Sequence, residues 1–327
     1  VVGLDIGTSK IAAIIGNMWQ GDPGKIEIIG VGNAPSEGLR KGVVVDIELT
    51  TAAIRQAVAD AELMAGVEIG SVYAGIAGGH ITGHTQNGVV AVAGEGHEIT
   101  QSDVDRAISA AQAISIPVER EVLHVIPQGF VVDNQEGIKD PIGMSGIRLE
   151  AYVHIVTGAV ASAQNLVKSV YSAGISVEDI VLEPIASAEA VLSNEERQLG
   201  VALADMGGGT TDIVIYKDGA LHHTAVLSLG GDHVTSDIAQ LLKMTPQDAE
   251  ILKLHRGSAW VDMVDGNDVI PISTVGGARR PRFITRQDLA AIIQCRMEEM
   301  LNLVAQEIAK GQRIVPAGVV VTCGDAL

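Results

Sequence analysis

Hydrophobic and polar positions alternate in short runs at the start of the chain and switch to a helical period about fifty residues in. Leu4 and Ile6 lead into the polar turn Gly7-Thr8-Ser9, and Lys10 to Gly16 is largely apolar again. This predicts a strand, a tight turn and a second strand. Gly21-Asp22-Pro23-Gly24 marks another turn, and Lys25 to Gly32 a third strand. Ile54, Ala57, Val58, Ala61 and Met64 or Ala65 then recur at helical spacing, with Gly66 placed to stop the helix. The succession returns later. Leu4-Asp5-Ile6-Gly7-Thr8-Ser9-Lys10 is answered by Ala204-Asp205-Met206-Gly207-Gly208-Gly209-Thr210-Thr211-Asp212. After it come an apolar run Ile213 to Tyr216, a turn Lys217-Asp218-Gly219, a strand from Ala220 to Leu229, and a helix marked by Val234, Ile238, Leu241 and Leu242. Duplication on this scale predicts two related halves facing each other across a cleft.

Between the repeats, Ile81 to Thr157 reads as strand (Val89 to Val92), helix (Ser102 to Ile114), long strand (Glu121 to Val132) and strand (Ile147 to Val156). It is an α+β insertion with enough length for its own core. Ser102 and Asp105 form a capping-box-like helix start. Ala159 to Ala173 returns to helical periodicity, Ile180 to Leu182 is a short strand, and Pro184 opens a helix from Ile185 to Leu192. Further on, helices are expected at Pro246 to His255 and Arg286 to Lys310. The Gly-rich piece between them is expected to be irregular and carries Arg279, Arg280, Arg282 and Arg286. Those arginines read either as a solvated loop or as a docking surface for an acidic peptide. Val315 to Thr322 reads as a last strand.

Composition narrows the classes. A chain of 327 residues with 47% hydrophobic but only 2% aromatic residues builds its cores from Val, Ile, Leu and Ala, in more than one domain. A formal net charge of −18 argues against broad nucleic-acid binding. Cys295 and Cys323 show no metal or disulfide framework, which fits a reducing cytosol. No apolar run reaches membrane-span length, and the start at Val1, inside a strand, suggests a fragment. The histidines show no HExxH or Cys/His spacing, so a metal or catalytic histidine is not expected, and with no GxSxG, no GxxxxGK(S/T) and no GxGxxG after the first strand, Walker and Rossmann readings fail.

The repeated turns suit a nucleotide triphosphate. Only residues without a Cβ let backbone N–H groups approach phosphate closely, and Gly7, Gly207, Gly208 and Gly209 supply them. Thr8, Ser9, Thr210 and Thr211 add hydroxyls, and Lys10 adds a point charge. Asp5 and Asp205 close their strands at the cleft, where two carboxylates require a divalent cation, held through water, to coexist with phosphate. Each alone reads as a turn residue, and their matched placement favours the site. Glu183, ahead of Pro184, either orients a water for in-line attack or simply favours a helix N-terminus. Glu250 and Lys253 can face the cleft, although an i, i+3 surface pair is the simpler reading of the spacing.

These residues resemble the actin-like ATPase superfamily, with Asp5-Ile6-Gly7-Thr8 as its first phosphate motif, Asp205 to Thr211 as its second and Val320-Val321-Thr322-Cys323-Gly324 similar to its adenosine motif. Within it, the chain resembles the FtsA family of bacterial cell-division proteins. Gly3 to Lys10, Val125 to Gln128, Glu136 to Pro141, Gly143 to Arg148, Leu203 to Asp212 and Gly219 to Thr224 carry the likeness, which includes the insertion. The resemblance implies an α/β fold of two duplicated ribonuclease-H-like halves around a nucleotide cleft, with an α+β subdomain inserted in the first half. It divides the chain into 1–80 with 158–197, the insert 81–157, 198–234 with 309–327, and an outer subdomain 235–308. ATP and Mg²⁺ would be cofactors, with at most slow hydrolysis and with Glu183, Asp5 and Asp205 as catalytic residues, the two aspartates holding the metal through water. Gly7, Thr8, Ser9, Lys10, Gly207, Gly208, Gly209 and Thr210 would contact phosphate. Gly231, Glu250, Lys253 and Gly324 would flank the nucleoside. Cys323 and Asp325 depart from the family's longer glycine run in the adenosine motif. Implied partners are other copies in filaments, later division proteins through the insert, and the C-terminal tail of the tubulin-like FtsZ at 235–308, with Arg286 and Arg296 as contacts. The implied location is the cytoplasmic face of the inner membrane at the division site, through a C-terminal helix outside this sequence. A pilus-assembly protein, a chaperone ATPase or a small-molecule kinase on the same fold are the alternatives.

Overall fold

The first half is built around strands that bury every second side chain. A computed structural model describes residues 1–19, 21, 25–272, 282–310 and 315–323. Strand β1 (Val2–Ile6) turns into β2 (Lys10–Met18), which pairs with β3 (Ile26–Pro35). A small hairpin, β4 (Leu39–Arg40) and β5 (Val43–Val44), precedes helix α1 (Ile47–Ala65). Asp46 caps α1 by accepting from the Leu49 N–H at 3.0 Å, and Gly66 ends it at φ 70°, a conformation that favours glycine. Strand β6 (Ser71–Ile76) then lies parallel to β1.

The insert follows as β7 (Thr82–Ala91), α2 (Gln101–Gln112), β8 (Arg120–Val132), β9 (Gln135–Ile138) and β10 (Arg148–Ala159). Its antiparallel sheet, in the order β7-β10-β8-β9, carries α2 on one face, and Val104, Ala107, Leu149, Val153 and Ile155 share a core. The helix cap lies two residues earlier than Ser102. The carboxylate of Asp103 accepts from the Thr100 N–H and hydroxyl and from the Ala93 N–H, and these bonds hold its pKa well below the usual range. The chain returns to the first half through α3 (Val160–Ser172) and β11 (Ser176–Leu182), completing the sheet β11-β6-β1-β2-β3.

Helices α4 (Glu183–Val191) and α5 (Asn194–Leu199) lead into the second half. There β12 (Val201–Met206), β13 (Thr211–Lys217) and β14 (Ala220–Leu227) repeat the opening meander. Asp218 at φ 53° and Gly219 at φ 77° make the hairpin turn between β13 and β14. Helices α6 (Gly231–Leu242) and α7 (Pro246–Arg256) follow. The segment expected to be irregular contains a hairpin, β15 (Val269–Ile272) with β16 (Arg282–Thr285). Arg279 and Arg280 lie outside the described residues. Helix α8 (Arg286–Lys310) places Leu289 and Ile293 in the outer core with α6 and α7, and Val304 and Ile308 under the second sheet. Strand β17 (Val319–Cys323) runs parallel to β12, giving the order β14-β13-β12-β17. No helix among the described residues is long and apolar enough to cross a membrane.

Candidate functional site

The two turns meet tip to tip. In the first, Asp5 pairs with Ala12 and Ile6 with Ile11. In the second, Asp205 pairs with Asp212 and Met206 with Thr211, so both hairpins have the same length and register. A space of about 620 Å³, counted to its open mouth, lies between them, walled by both turns together with Gly42, Ala77, Glu183 and Asp212.

The turns interlock because one has side chains where the other has none. A Cβ added to Gly208 would come within 1.9 Å of Ser9 Oγ, and one added to Gly209 would lie 2.8 Å from Thr8 Oγ1. The start of α6 fixes the back of the second turn. The N–H groups of Gly231 and Asp232 donate to the carbonyls of Gly207 and Gly208 at 3.0 and 2.9 Å, so this strand-to-helix junction holds the turn from behind.

Four carboxyl groups converge beneath the turns. Burial, with the Asp205 charge adding and Lys10 opposing, pushes Asp5 up to about 6. Asp212 is pushed up to about 7, chiefly by burial, against a bond from the Thr210 hydroxyl at 3.0 Å. Glu183 rises well above its ordinary value, first through burial and then through Asp5, Asp212 and Asp205. Ser187 donates to Asp205 at 2.6 Å from one turn along α4. Glu183 Oε1, Asp212 Oδ1 and Ser9 Oγ are buried without a hydrogen-bond partner among the described residues. Such a cluster is costly to keep fully ionised, and among the described residues no group of three or more such side chains is placed to hold a metal ion directly.

The structure brings Gly7, Thr8, Ser9, Lys10, Gly207, Gly208, Gly209, Thr210, Asp5, Asp205 and Glu183 to one cavity. Glu183 stands inside α4 as its first residue, with Pro184 next, rather than ahead of the helix. Gly231, Glu250 and Lys253 form a neighbouring group behind the second turn. Lys253 Nζ lies 2.8 Å from Glu250 Oε2 and donates to the Gly231 carbonyl at 3.4 Å, while the Thr235 hydroxyl donates to the same Glu250 oxygen. Lys253 is only 3% exposed, so the pair is not the surface pair its spacing suggests. Gly324 lies outside the described residues. Arg286 and Arg296 sit on α8 and already have partners: Arg286 Nε donates to the Arg256 carbonyl at 3.1 Å, and Arg296 donates to Asp237 from Nε and Nη2, at 2.6 and 3.0 Å. Asp212, Ser187, Gly42 and Ala77 are site residues that the sequence reading did not single out. The first was within reach, because the repeat places it opposite Asp205.

Family models match in two stretches, an SHS2 domain inserted in FtsA over residues 78–157 and cell division protein FtsA over residues 202–322. The cell division protein FtsA of Pseudomonas aeruginosa is 45% identical over 326 residues, covering 99% of this chain and 77% of that protein. That of Escherichia coli K12 is 42% identical over 335 residues, covering 100% and 79%. Among solved structures, a chain of the PilM-PilN type IV pilus biogenesis complex superposes with a TM-score of 0.67 at 14% identity, over 99% of this chain and 81% of that one. MreB5 of Spiroplasma citri bound to ADP gives 0.54 at 14% identity, over 99% and 84%. With matched turns across a cleft, an inserted sheet at the family's place and relatives this similar along almost its whole length, the chain belongs to the FtsA family of cell division proteins and has the actin-like ATPase fold.

Proposed function

We propose that the chain binds ATP with Mg²⁺ between its halves and uses the nucleotide to govern its own polymerisation, as a scaffold that links FtsZ filaments to the cytoplasmic face of the membrane and gathers later division proteins. The interlocked pair of turns over four carboxylates carries this reading. The residues fit the ligand. A Cβ at Gly7 would lie 2.9 Å from the Lys10 carbonyl, and Gly208 and Gly209 leave no more room, so these positions suit close backbone approach to an anion. The buried Ser9 hydroxyl has a hydrogen to give, and the unpartnered oxygens of Glu183 and Asp212 have lone pairs to offer water around a cation. Thr8, Ser9, Thr210, Lys10 and the N–H groups of Gly7 and Gly207 to Gly209 would hold the phosphates. Asp5 and Asp205 would hold Mg²⁺ through water, and Glu183 would orient the attacking water. Gly231, Glu250, Lys253 and Gly324 would flank the nucleoside. Bound Mg²⁺ supplies charge neutralisation between carboxylates and phosphate.

Isothermal titration tests the assignment: Asp205→Ala or Gly208→Val abolishes the ATP-Mg²⁺ heat, and unchanged affinity in either overturns it. Glu183→Ala slows hydrolysis and leaves binding intact, whereas equal loss of both makes the residue structural.

The 235–308 region is the proposed seat of the FtsZ tail, with the insert reserved for other copies and later division proteins. Because Asp237 and Asp268 lie against Arg296 and Arg286, a tail carboxylate must compete with them, which keeps the affinity modest. Fluorescence anisotropy with a tail peptide is expected to shift at tens of micromolar, about −6 kcal/mol. A flat titration removes this docking site.

A further inference from the structure

We propose that the Lys41–Gly42 turn between β4 and β5 passes the phosphate state of the cleft to the root of the inserted sheet. The proposal rests on the nucleotide reading of the cleft and adds a conformational output to it. Strands β4 and β5 pair through Leu39 with Val44 and Arg40 with Val43, so only two residues form the tip. Lys41 at φ 52° and Gly42 at φ 74° are both left-handed, as a tight hairpin turn of this kind requires. The base of the hairpin is held fast. Leu39 and Val44 are buried in the first core, and the N–H groups of Val45 and Asp46 donate to the Gly38 carbonyl at 2.9 and 3.1 Å. A Cβ at Gly38 would come within 2.2 Å of Thr50 Oγ1 on α1, so the base has no room to slide.

The tip touches three parts of the molecule at once. The Gly42 N–H donates to Thr8 Oγ1 at 3.0 Å. A threonine hydroxyl that accepts from Gly42 keeps its own hydrogen for another acceptor, and both residues line the cavity. Gly42 is thus a positioning residue that orients the Thr8 hydroxyl. On the other side, the Cβ position of Gly209 in the second turn lies 2.9 Å from Lys41 Cα. Behind the tip is the root of the insert. A Cβ on Gly42 would lie 2.8 Å from Gly78 Cα and 3.0 Å from the Ala77 carbonyl, and one on Gly78 would lie 3.2 Å from the Gly42 carbonyl oxygen. Gly78 itself sits at φ 126°, where side chains are strained.

The insert is also tied to the second half. His154 Nε2 and Thr224 Oγ1 are 3.0 Å apart, and Gln128 donates to the Leu221 carbonyl at 2.8 Å. An anion that shifts Thr8 or Gly209 therefore presses on a strut whose base is fixed and whose tip meets Gly78. Backbone packed so that no side chain fits at these glycines has discrete arrangements rather than a soft continuum, which lets the strut act as a transmitter.

Hydrogen exchange of the whole chain, with and without saturating ATP-Mg²⁺, reads the output at residues 78–82, and titration with a fluorescent ATP analogue reads binding in the same samples. Nucleotide is expected to slow exchange at 78–82 at least about threefold. Gly78→Ala lies outside the cavity and is expected to bind nucleotide within about threefold of the unaltered chain while losing that response. Thr8→Val is expected to lose binding and response together, and Thr8→Ser to restore both. A flat titration of the unaltered chain fails the nucleotide reading and the strut with it. Normal binding with unchanged exchange at 78–82 overturns the strut alone, as does a full response in Gly78→Ala. If Gly78→Ala does not fold, exchange in the unaltered chain still decides.

Discussion

The two cleft turns share length and strand register but differ in what they carry. Asp5-Ile6-Gly7-Thr8-Ser9-Lys10-Ile11-Ala12 stands position for position against Asp205-Met206-Gly207-Gly208-Gly209-Thr210-Thr211-Asp212. The first puts hydroxyls at Thr8 and Ser9 where the second has Gly208 and Gly209, and the hydroxyls occupy the room those glycines leave. Across the ladder, Asp5 faces Ala12, whereas Asp205 faces a second carboxyl, Asp212. Among the described residues, Asp205 has a serine, Ser187, bonded to it and Asp5 has none. Duplication therefore supplied a shared backbone, and divergence made the copies complementary.

Exchanging side chains between the turns breaks this comparison most severely. Gly208→Ser sets two serines against each other and is expected to weaken ATP binding about 100-fold, about 2.7 kcal/mol. Adding Ser9→Gly recovers about tenfold of that loss in the same calorimetric assay, because the partners are in contact and their effects do not add. Additive losses would mean that the fit is incidental. A smaller effect comes from Ser187→Ala. Losing one hydrogen bond to Asp205 costs about 1 kcal/mol and weakens ATP-Mg²⁺ binding about fivefold. No change would make the second aspartate as independent as the first.

The smallest effect tests the seam that joins the insert to the second half. Burial, with His223, His84 and His222 adding, holds His154 down to about 4, against 6.5 when unfolded. Between those values the unfolded chain binds the extra proton. The contribution of neutral His154 is thus present above pH 6.5 and is lost as pH falls towards 4. Asp5 and Asp212, pushed up to about 6 and 7, bind protons more readily when folded and act in the opposite sense. The difference between the unaltered chain and His154→Gln isolates the histidine, and its melting-temperature gap is expected to narrow by about 2 °C from pH 7.5 to pH 5.5. A gap independent of pH would show that His154 does not titrate there.

Legibility in the sequence followed how strongly burial repeats along an element. The meanders, the helix ended by Gly66 and the long helix from Arg286 to Lys310 were readable, because their apolar periods run for several turns or pairs. The β4–β5 hairpin was not, since two-residue strands contain no period at all. Strand β7 was seen only from Val89, because Thr82 to Asn87 is mostly polar and exposed and is held instead by pairing with β10. Within the site, the glycines and the paired aspartates were visible through repetition. Ser187 was not, because helix spacing alone gives no sign that it meets Asp205. Gly42 was hidden with its hairpin.

The equal length of the two turns also acts as a reading frame. Side chains along β2 alternate between faces, with Ile11, Ala13 and Ile15 inside and Ile14 outside. One residue more or less between Asp5 and Ile11 would turn that alternation over, sending the buried isoleucines to water and their neighbours inward. Beyond the second turn β13 is buried on both faces, so a slip there would exchange Ile213 and Ile215 of one core with Val214 and Tyr216 of the other. Spelling within each turn is therefore open to change, and has changed, while a single insertion or deletion would scramble the core of its half before it touched the chemistry of the cleft.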